Sequence, residues 1–195
     1  MTITIRHGLP PPLRPDAARL YWQAFGGKLG RVLGPEPLAL ALLHRVMRAD
    51  HAIVALSADG ALLGMVGFKS PDGAFAGGNF ADLRAVYGLC GAAWRATLLW
   101  LLERDLDNDR FLMDGICVTD TARGQGVGTA LLNAICAEGR RRGYPAVRLD
   151  VIDTNARARA LYEREGFVPT KTAHIGVLRL VFGFSAATTM VRGLG

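Results

Sequence analysis

The first half of the chain carries two patterns of apolar residues, one with the period of a strand and one with the period of a helix. Residues 2–6, TITIR, alternate like a short strand, whereas residues 16–25 and 38–47 carry apolar residues at helical spacing. Residues 51–57 and 61–70 are apolar runs separated by ADG, which favours a β-hairpin. The pattern therefore predicts a strand, two helices and a hairpin, in this order.

Glycine interrupts these patterns between the predicted elements. GGKLGRVLGPEP, residues 26–37, predicts a linker between the first two helices. Residues 70–78 have the composition of a loop, and residues 80–105 predict one or two helices with a break near Gly88 or Gly91. We therefore expect a loop followed by one or two helices in this part of the chain.

In the second half, strands alternate with helices. The predicted strands are residues 111–118 (FLMDGICV), 146–153 (AVRLDVID), 167–175 (FVPTKTAHI) and 187–194 (ATTMVRGL). The predicted helices are residues 129–142 (TALLNAICAEGRRR), with an apolar stripe, and 155–165 (NARARALYERE), which Gly166 closes as a C-cap. This order predicts an α/β (α+β) fold with a mixed sheet.

Length and composition fit one globular domain over residues 1–195. Of the residues 50% are apolar and 21% are charged, which argues against a disordered or coiled-coil chain. The net charge of +6 comes from 20 Arg and three Lys, a balance that suits nucleic acid or a phosphate-rich cofactor. The densest run, Arg140–Arg142, falls at a predicted helix C-terminus, where cations are favourable, and no aromatic residues interleave with it. We therefore expect no nucleic-acid partner.

The cysteines and histidines indicate neither disulfides nor a metal site. The three cysteines lack CxxC spacing, and the four histidines are scattered without ligand spacing. The first residues form no apolar segment typical of a secretory signal, and no apolar run is long enough to span a bilayer. We expect a cytoplasmic protein with no metal and no membrane partner.

Residues 123–128, RGQGVG, place three glycines at alternate positions between a predicted strand and a predicted helix. A helix N-terminus presents unpaired N–H groups and a positive dipole, and glycine lets an anion approach the backbone closely. The turn therefore predicts a phosphate-binding site. A P-loop is excluded because no lysine follows the turn, and a Rossmann turn is disfavoured because the spacing is GxGxG and lies late in the chain.

The same turn contains R-x-x-G-x-G, formed by Arg123, Gly126 and Gly128, and Val118 stands five residues before the arginine. Downstream, the pattern L-x-V-x-x-x-N-x-x-A-x-x-L-Y-x-x-x-G-F is filled without a gap by Leu149, Val151, Asn155, Ala158, Leu161, Tyr162, Gly166 and Phe167. On these residues the chain resembles the GCN5-related N-acetyltransferase (GNAT) superfamily. The resemblance is specific from about residue 111 to residue 167.

The resemblance implies the GNAT fold, in which a mixed, mostly antiparallel twisted sheet is flanked by helices and its parallel fourth and fifth strands splay apart. It implies acetyl-CoA as cosubstrate in the cleft between residues 111–118 and 146–153, and no metal. The cofactor-binding residues that it implies are Ile116, Cys117, Val118, Arg123, Gly124, Gln125, Gly126, Val127, Gly128, Thr129, Asn155 and Tyr162. Arg157 or Arg159 is expected at the 3′-phosphate or, alternatively, on a solvated surface.

The resemblance also implies direct acetyl transfer to a primary amine in a ternary complex. Tyr162 would donate a proton or a hydrogen bond to the departing thiolate, and the strand amide near Val118 would stabilise the developing oxyanion. Leu112 stands where histone-type members carry a glutamate base, so Asp114 is the leading substitute and water chains are the alternative.

These side chains also have purely structural interpretations. Asn155 suits a helix N-cap, Tyr162 suits a buried core position, and Asp114 suits a β-bulge beside Gly115. For Tyr162 we favour the catalytic role, because the other positions of the pattern are matched around it.

In such enzymes the acceptor region is formed largely by segments that correspond to residues 17–47 and 71–109. Both are apolar and glycine-rich with few acids, which argues against a polyamine. An amino acid, a small amine, an antibiotic and a protein N-terminus stay open as acceptors. The alternative to an enzyme is a non-catalytic acyl-CoA-binding or regulatory module with the same fold. In both cases the chain could form a homodimer.

Overall fold

A computed structural model describes residues 2–102 and 110–195, which form an eight-stranded sheet. The strands are β1 (Thr4–His7), β2 (Ala52–Leu56), β3 (Leu62–Ser70), β4 (Gly73–Ala74), β5 (Phe111–Val118), β6 (Ala146–Ile152), β7 (Val168–His174) and β8 (Ala186–Gly193). Their order is β1-β2-β3-β5-β6-β8-β7, with β4 paired to β3. Within the described residues β5 and β6 form the one parallel pair, so the expected mixed, mostly antiparallel sheet is confirmed.

Helices cover both faces of the sheet. They are α1 (Arg14–Leu33), α2 (Glu36–Val46), α3 (Phe80–Leu102), α4 (Val127–Arg141), α5 (Ala156–Arg164) and α6 (Arg179–Phe182). Helix α4 packs against β2, β3, β5 and β6 on one face, and α1 packs on the other face. None of the described helices has the length and apolar character needed to cross a membrane. Residues 103–105 of the predicted third helix lie outside the described residues.

Strand β2 shows why the core has two layers. Ile53 and Ala55 are buried in the cluster under α4, whereas Ala52 and Val54 are buried in the cluster under α1 and α2. Successive side chains of a strand point to opposite faces. Since both faces of β2 are covered, its apolar run is continuous instead of alternating.

Helix α1 continues to Leu33, so the prediction of a linker over residues 26–37 is wrong for most of that segment. A glycine in a helix interior costs about 1 kcal/mol relative to alanine. Val32 and Leu33 are buried against α2 and α3, and this burial offsets the cost of the glycines. The continued helix packs its last turn against these two helices.

Smaller differences concern short elements. Helix α3 breaks at Gly88, with φ of +69°, which is one of the two predicted positions. The predicted loop over residues 70–78 contains the two-residue strand β4. The sequence pattern predicts no helix where α6 lies, because four residues are too few for a helical period to show. Buried Phe182 anchors this short helix.

The parallel strands β5 and β6 are paired only near their beginning. Phe111 opposes Val147 and Leu112 opposes Arg148, and the ladder ends there. Beyond this point a cleft separates the two strands. The splayed parallel pair implied by the resemblance is therefore confirmed.

A β-bulge lies in β5 just beyond the last parallel pair. Gly67 of β3 opposes Gly115, but its neighbour Phe68 opposes Met113, so Asp114 is the extra residue. A bulge bends its strand and increases the local twist. The bulge interpretation of Asp114 is confirmed, and the bend favours the divergence of β5 from β6.

Candidate active site

A cleft of about 1240 Å³ opens where β5 and β6 diverge, and α1, α5, the glycine turn and the end of α6 complete its walls. The predicted site residues that line it are Asp114, Ile116, Cys117, Val118, Arg123, Gly124, Gly126, Gly128, Thr129, Asn155 and Tyr162. Two predicted residues point their side chains elsewhere. Gln125 donates a hydrogen bond to the carbonyl of Thr121 at 2.7 Å, and Val127, the first residue of α4, is buried in the core between α4 and the sheet. These two can reach a ligand only through their backbone amides.

The three alternate glycines serve two different purposes. Gly124 and Gly126 have φ of +77° and +82°, a left-handed conformation, and a Cβ at either position would meet no atom within 4 Å. At Gly128 a Cβ would lie 3.0 Å from Leu161, so the missing side chain lets α4 and α5 pack closely. Gly126 precedes α4 without a capping side chain, which leaves the first amides of the helix open to the cleft.

Several arginines line the cleft that contains the glycine turn. Arg123 forms an ion pair with Asp120, and both side chains are exposed. Of the two candidates for a 3′-phosphate, Arg157 lines the cleft, whereas Arg159 forms an ion pair within its own helix. Arg164 also lines the cleft, although the sequence pattern does not single it out. This positive charge suits an anionic ligand.

Asn155 is the N-cap of α5, as one of its interpretations predicts. Its Oδ1 accepts a hydrogen bond from the backbone N–H of Ala158 at 3.1 Å. Because the cap uses only the side-chain oxygen, the NH₂ group stays available as a donor. Asn155 also lines the cleft, so the structural role and a ligand contact are compatible.

Tyr162 is both a core residue and a cleft residue. It is 6% exposed, and its ring centre lies 6.1 Å from that of Phe167. Burial, with a smaller contribution from Cys117, raises the pKa of Tyr162 above its usual value. Burial also raises the pKa of Cys117 to about 12. Both groups keep their protons at neutral pH, so Tyr162 is a hydrogen-bond donor at the cleft.

Asp114 is exposed at the bulge and faces α1. Its Oδ2 accepts a hydrogen bond from the backbone N–H of Ala76 at 3.4 Å. In nearby Tyr21 of α1, burial and then the charge of Asp114 raise the pKa of the phenol. Among the described residues, Asp114 belongs to no group of three or more His, Cys, Asp or Glu side chains that could hold a metal ion. Its carboxylate is placed to interact with a cationic or protic ligand.

The cleft also contains residues that the sequence pattern does not single out. Lys28 of α1, Asp150 of β6, and Phe182 and Gly183 at the end of α6 all line it. Lys28 falls in the segment predicted as a linker, so no helical spacing was available to place it. Phe182 belongs to a helix too short for periodicity to reveal. Contacts between distant parts of the chain bring these residues together.

A cleft between diverging parallel strands, with a helix N-terminus and left-handed glycines in its walls, is typical of proteins that bind a phosphate-carrying ligand. The family model described as the acetyltransferase (GNAT) family matches residues 15–167. The chain belongs to this family, which confirms the resemblance found in residues 111–167.

Several proteins to which this chain is similar are named acetyltransferases. A mycothiol acetyltransferase from Beutenbergia cavernae is 37% identical over 93 residues, which cover 40% of this chain and 31% of that protein. The match therefore spans less than a third of the length of this curated relative. An N-acetyltransferase structure from Staphylococcus aureus Mu50 has a TM-score of 0.67 at 16% identity and covers 97% of this chain and 100% of that chain. A Bacillus anthracis protein described as a streptothricin acetyltransferase, solved with acetyl coenzyme A, has a TM-score of 0.50 at 16% identity, covering 73% of this chain and 61% of that chain.

Proposed function

We propose that this protein is an acetyl-CoA-dependent N-acetyltransferase, which moves the acetyl group directly to a primary amine in a ternary complex. The position of the glycine turn at the end of the cleft carries the proposal. The residues fit the ligand, because the open, left-handed Gly124 and Gly126 and the charge of Arg123 suit a pyrophosphate. Membership of the acetyltransferase (GNAT) family supports the same activity.

The backbone of β5 suits the pantetheine arm of acetyl-CoA. Among the described residues, the β5 edge that faces β6 has no strand partner beyond Leu112, while the other edge stays paired with β3 as far as Val118. An extended ligand can add to such an edge like a further strand. Ile116, Cys117 and Val118 would supply these backbone groups, the amides of residues 124–129 would hold the pyrophosphate, and Arg157 would contact the 3′-phosphate.

Acetyl-CoA supplies an activated acetyl group, and the protein's own residues would accept and donate the protons. Asp114 would take a proton from the attacking amine, the backbone amide near Val118 would donate to the carbonyl oxygen, and Tyr162 would donate to the sulfur. The side-chain NH₂ of Asn155 would contact the ligand near its thioester end. Because burial raises its pKa, the Tyr162 hydroxyl stays protonated and can donate a proton or a hydrogen bond to the sulfur.

The acceptor stays open among an amino acid, a small amine, an antibiotic and a protein N-terminus. Because similar proteins are named mycothiol acetyltransferase and streptothricin acetyltransferase, an acceptor screen should begin with small molecules. The alternative function is a non-catalytic acyl-CoA-binding module, and Leu112 at the position of a glutamate base favours it. A cytoplasmic location and a homodimer stay predictions from the sequence.

Calorimetry and an acceptor screen test the proposal together. Acetyl-CoA and CoA should bind with micromolar-scale affinity and raise the Tm, whereas NADH should not. Equal stabilisation by NADH, or no binding of acetyl-CoA, would contradict the proposal. The screen follows free-thiol release with a panel of amines, and binding without release across the whole panel would favour the non-catalytic module.

A further inference from the structure

Helix α1 places a lysine side chain in the cleft. A Cβ at Gly115 would lie 2.7 Å from Cζ of Phe25, so α1 contacts β5 directly beside the bulge. Lys28 follows Phe25 by about one helical turn and shares its face of the helix. Both residues line the cleft, and the half-buried Lys28 has its Nζ 5.5 Å from the centre of the Phe184 ring. The Lys28 amine therefore lies in the proposed acetyl-CoA cleft.

Carboxylates on both diverging strands stabilise the protonated form of the Lys28 amine. Asp114 belongs to β5 and Asp150 to β6, and the charges of both favour the ammonium form. Asp150 also accepts hydrogen bonds from Thr189 at 2.5 Å and from Arg148 at 3.3 Å. Burial outweighs the two carboxylates and lowers the pKa of Lys28. More of the neutral amine is therefore present than at an exposed lysine, and the neutral amine is the nucleophile.

The composition of the chain makes Lys28 distinctive. The chain has three lysines against 20 arginines, and arginine keeps its charge, so it cannot act as a neutral amine. Lys69 in β3 and Lys171 in β7 do not line the cleft. Among the described residues, Lys28 is therefore the one side-chain amine in the cleft.

We propose that Lys28 is a self-acetylation site, at which bound acetyl-CoA transfers its acetyl group to Nζ of the same protein molecule. The neutral Nζ attacks the thioester carbon, so that an N–C bond forms and the C–S bond breaks. The nitrogen loses one proton, which Asp114 can accept, and the sulfur gains one. The products are Nε-acetyl-lysine and free CoA. This inference rests on the proposed function, because it uses the same donor and the same cleft.

The test follows each lysine by peptide mass spectrometry during incubation with acetyl-CoA that carries a heavy-isotope acetyl group. The label distinguishes new acetylation from any acquired in the cell, and Lys69 and Lys171 report direct chemical acetylation. Lys28 should gain label at least about tenfold faster than either, because a bound donor raises the effective concentration. The rate per molecule should not depend on protein concentration. Equal rates at the three lysines, or a rate that rises with protein concentration, would overturn the inference.

Two variants complete the experiment. Lys28→Arg keeps the positive charge and should lose the principal labelled site while still binding acetyl-CoA. Gly126→Asp should stay folded and leave Lys28 unlabelled, because the donor is not held. If Lys28 of the wild type stays unlabelled while an external amine is acetylated, the inference fails and the proposed function stands. If acetyl-CoA does not bind at all, both fail.

Discussion

Two regions line the same cleft but depend on different interactions for their conformation. One is the glycine turn together with the start of α5, and the other is the contact of α1 with β5. Gly124, Gly126 and Asn155 each determine the backbone within a few residues of themselves, through a left-handed φ or a helix cap. The position of α1 depends on residues far apart in the chain, since Phe25 packs over Gly115. Local sequence is therefore sufficient for the phosphate end of the cleft and insufficient for its α1 side.

The same difference separates the expected functions of the two regions. Substitutions in the glycine turn or α5 should change acetyl-CoA binding or the chemistry at its sulfur. Substitutions at the contact of α1 with β5 should change the use of the acceptor instead. The two regions would not have separate functions if variants of the turn changed the use of the acceptor, or if variants of the α1–β5 contact changed acetyl-CoA binding.

Tyr162→Phe should give the largest loss. The ring keeps its packing near Phe167, but the sulfur loses its donor, and a general-acid role is typically worth about 10²- to 10⁴-fold in rate. Steady-state kinetics on the best acceptor should show this drop with little change in the calorimetric affinity for acetyl-CoA. Tyr144→Phe is the matched control, because Tyr144 packs on Phe111 and does not line the cleft. A loss of only a few-fold in Tyr162→Phe would leave Tyr162 as a packing residue.

Gly126→Asp should weaken acetyl-CoA binding by about a thousandfold, since a like-charge contact costs several kcal/mol. The substitution also strains a residue with φ of +82°. Gly143→Asp controls for that strain, because Gly143 has φ of +80°, an equally open Cβ position and no place in the cleft. Calorimetry should show lost binding in the first variant alone. Equal affinities in the two variants would contradict the phosphate site.

Gly115→Ala should have an intermediate effect, confined to the acceptor. The new Cβ would lie 2.7 Å from Phe25, so the ring must move, and overpacking of this kind costs about 1–3 kcal/mol. The KM for the acceptor should rise several-fold with acetyl-CoA affinity nearly unchanged. Gly128→Ala is the counterpart in the turn, where the Cβ would meet Leu161 at 3.0 Å and acetyl-CoA affinity should fall instead. If both variants changed the same quantity, either the KM for the acceptor or the affinity for acetyl-CoA, the two regions would not differ in function.

Asn155→Ala should have the smallest effect, a loss of about 1 kcal/mol in the free energy of unfolding, because the N-cap is removed. Asn155→Ser sharpens the result, since serine restores the cap without the NH₂ group. Denaturant unfolding should show stability recovered in the serine variant, while calorimetry shows acetyl-CoA affinity still reduced. Full recovery of affinity by serine would mean that Asn155 acts only as a cap.

The sequence by itself determined the features that depend on neighbouring residues. The strand and helix patterns of the second half, the glycine turn and the cap at Asn155 all appear in the structure close to their predicted positions. Each rests on an interaction that spans a few residues, such as a left-handed glycine or a hydrogen bond to the N–H of Ala158. Asp114 is different, because its place in a bulge became evident only from the register of β3 against β5, whereas its catalytic role stays a prediction.

Only the tertiary structure decided which residues complete the α1 side of the cleft. A local pattern predicts a linker at Gly26 and Gly27, but burial of Val32 and Leu33 against α2 and α3 keeps the segment helical and brings Lys28 over the diverging strands. Phe182 reaches the same cleft from near the other end of the chain. Such positions follow from apolar burial between distant segments, whose free energy depends on partners that no short window of sequence contains.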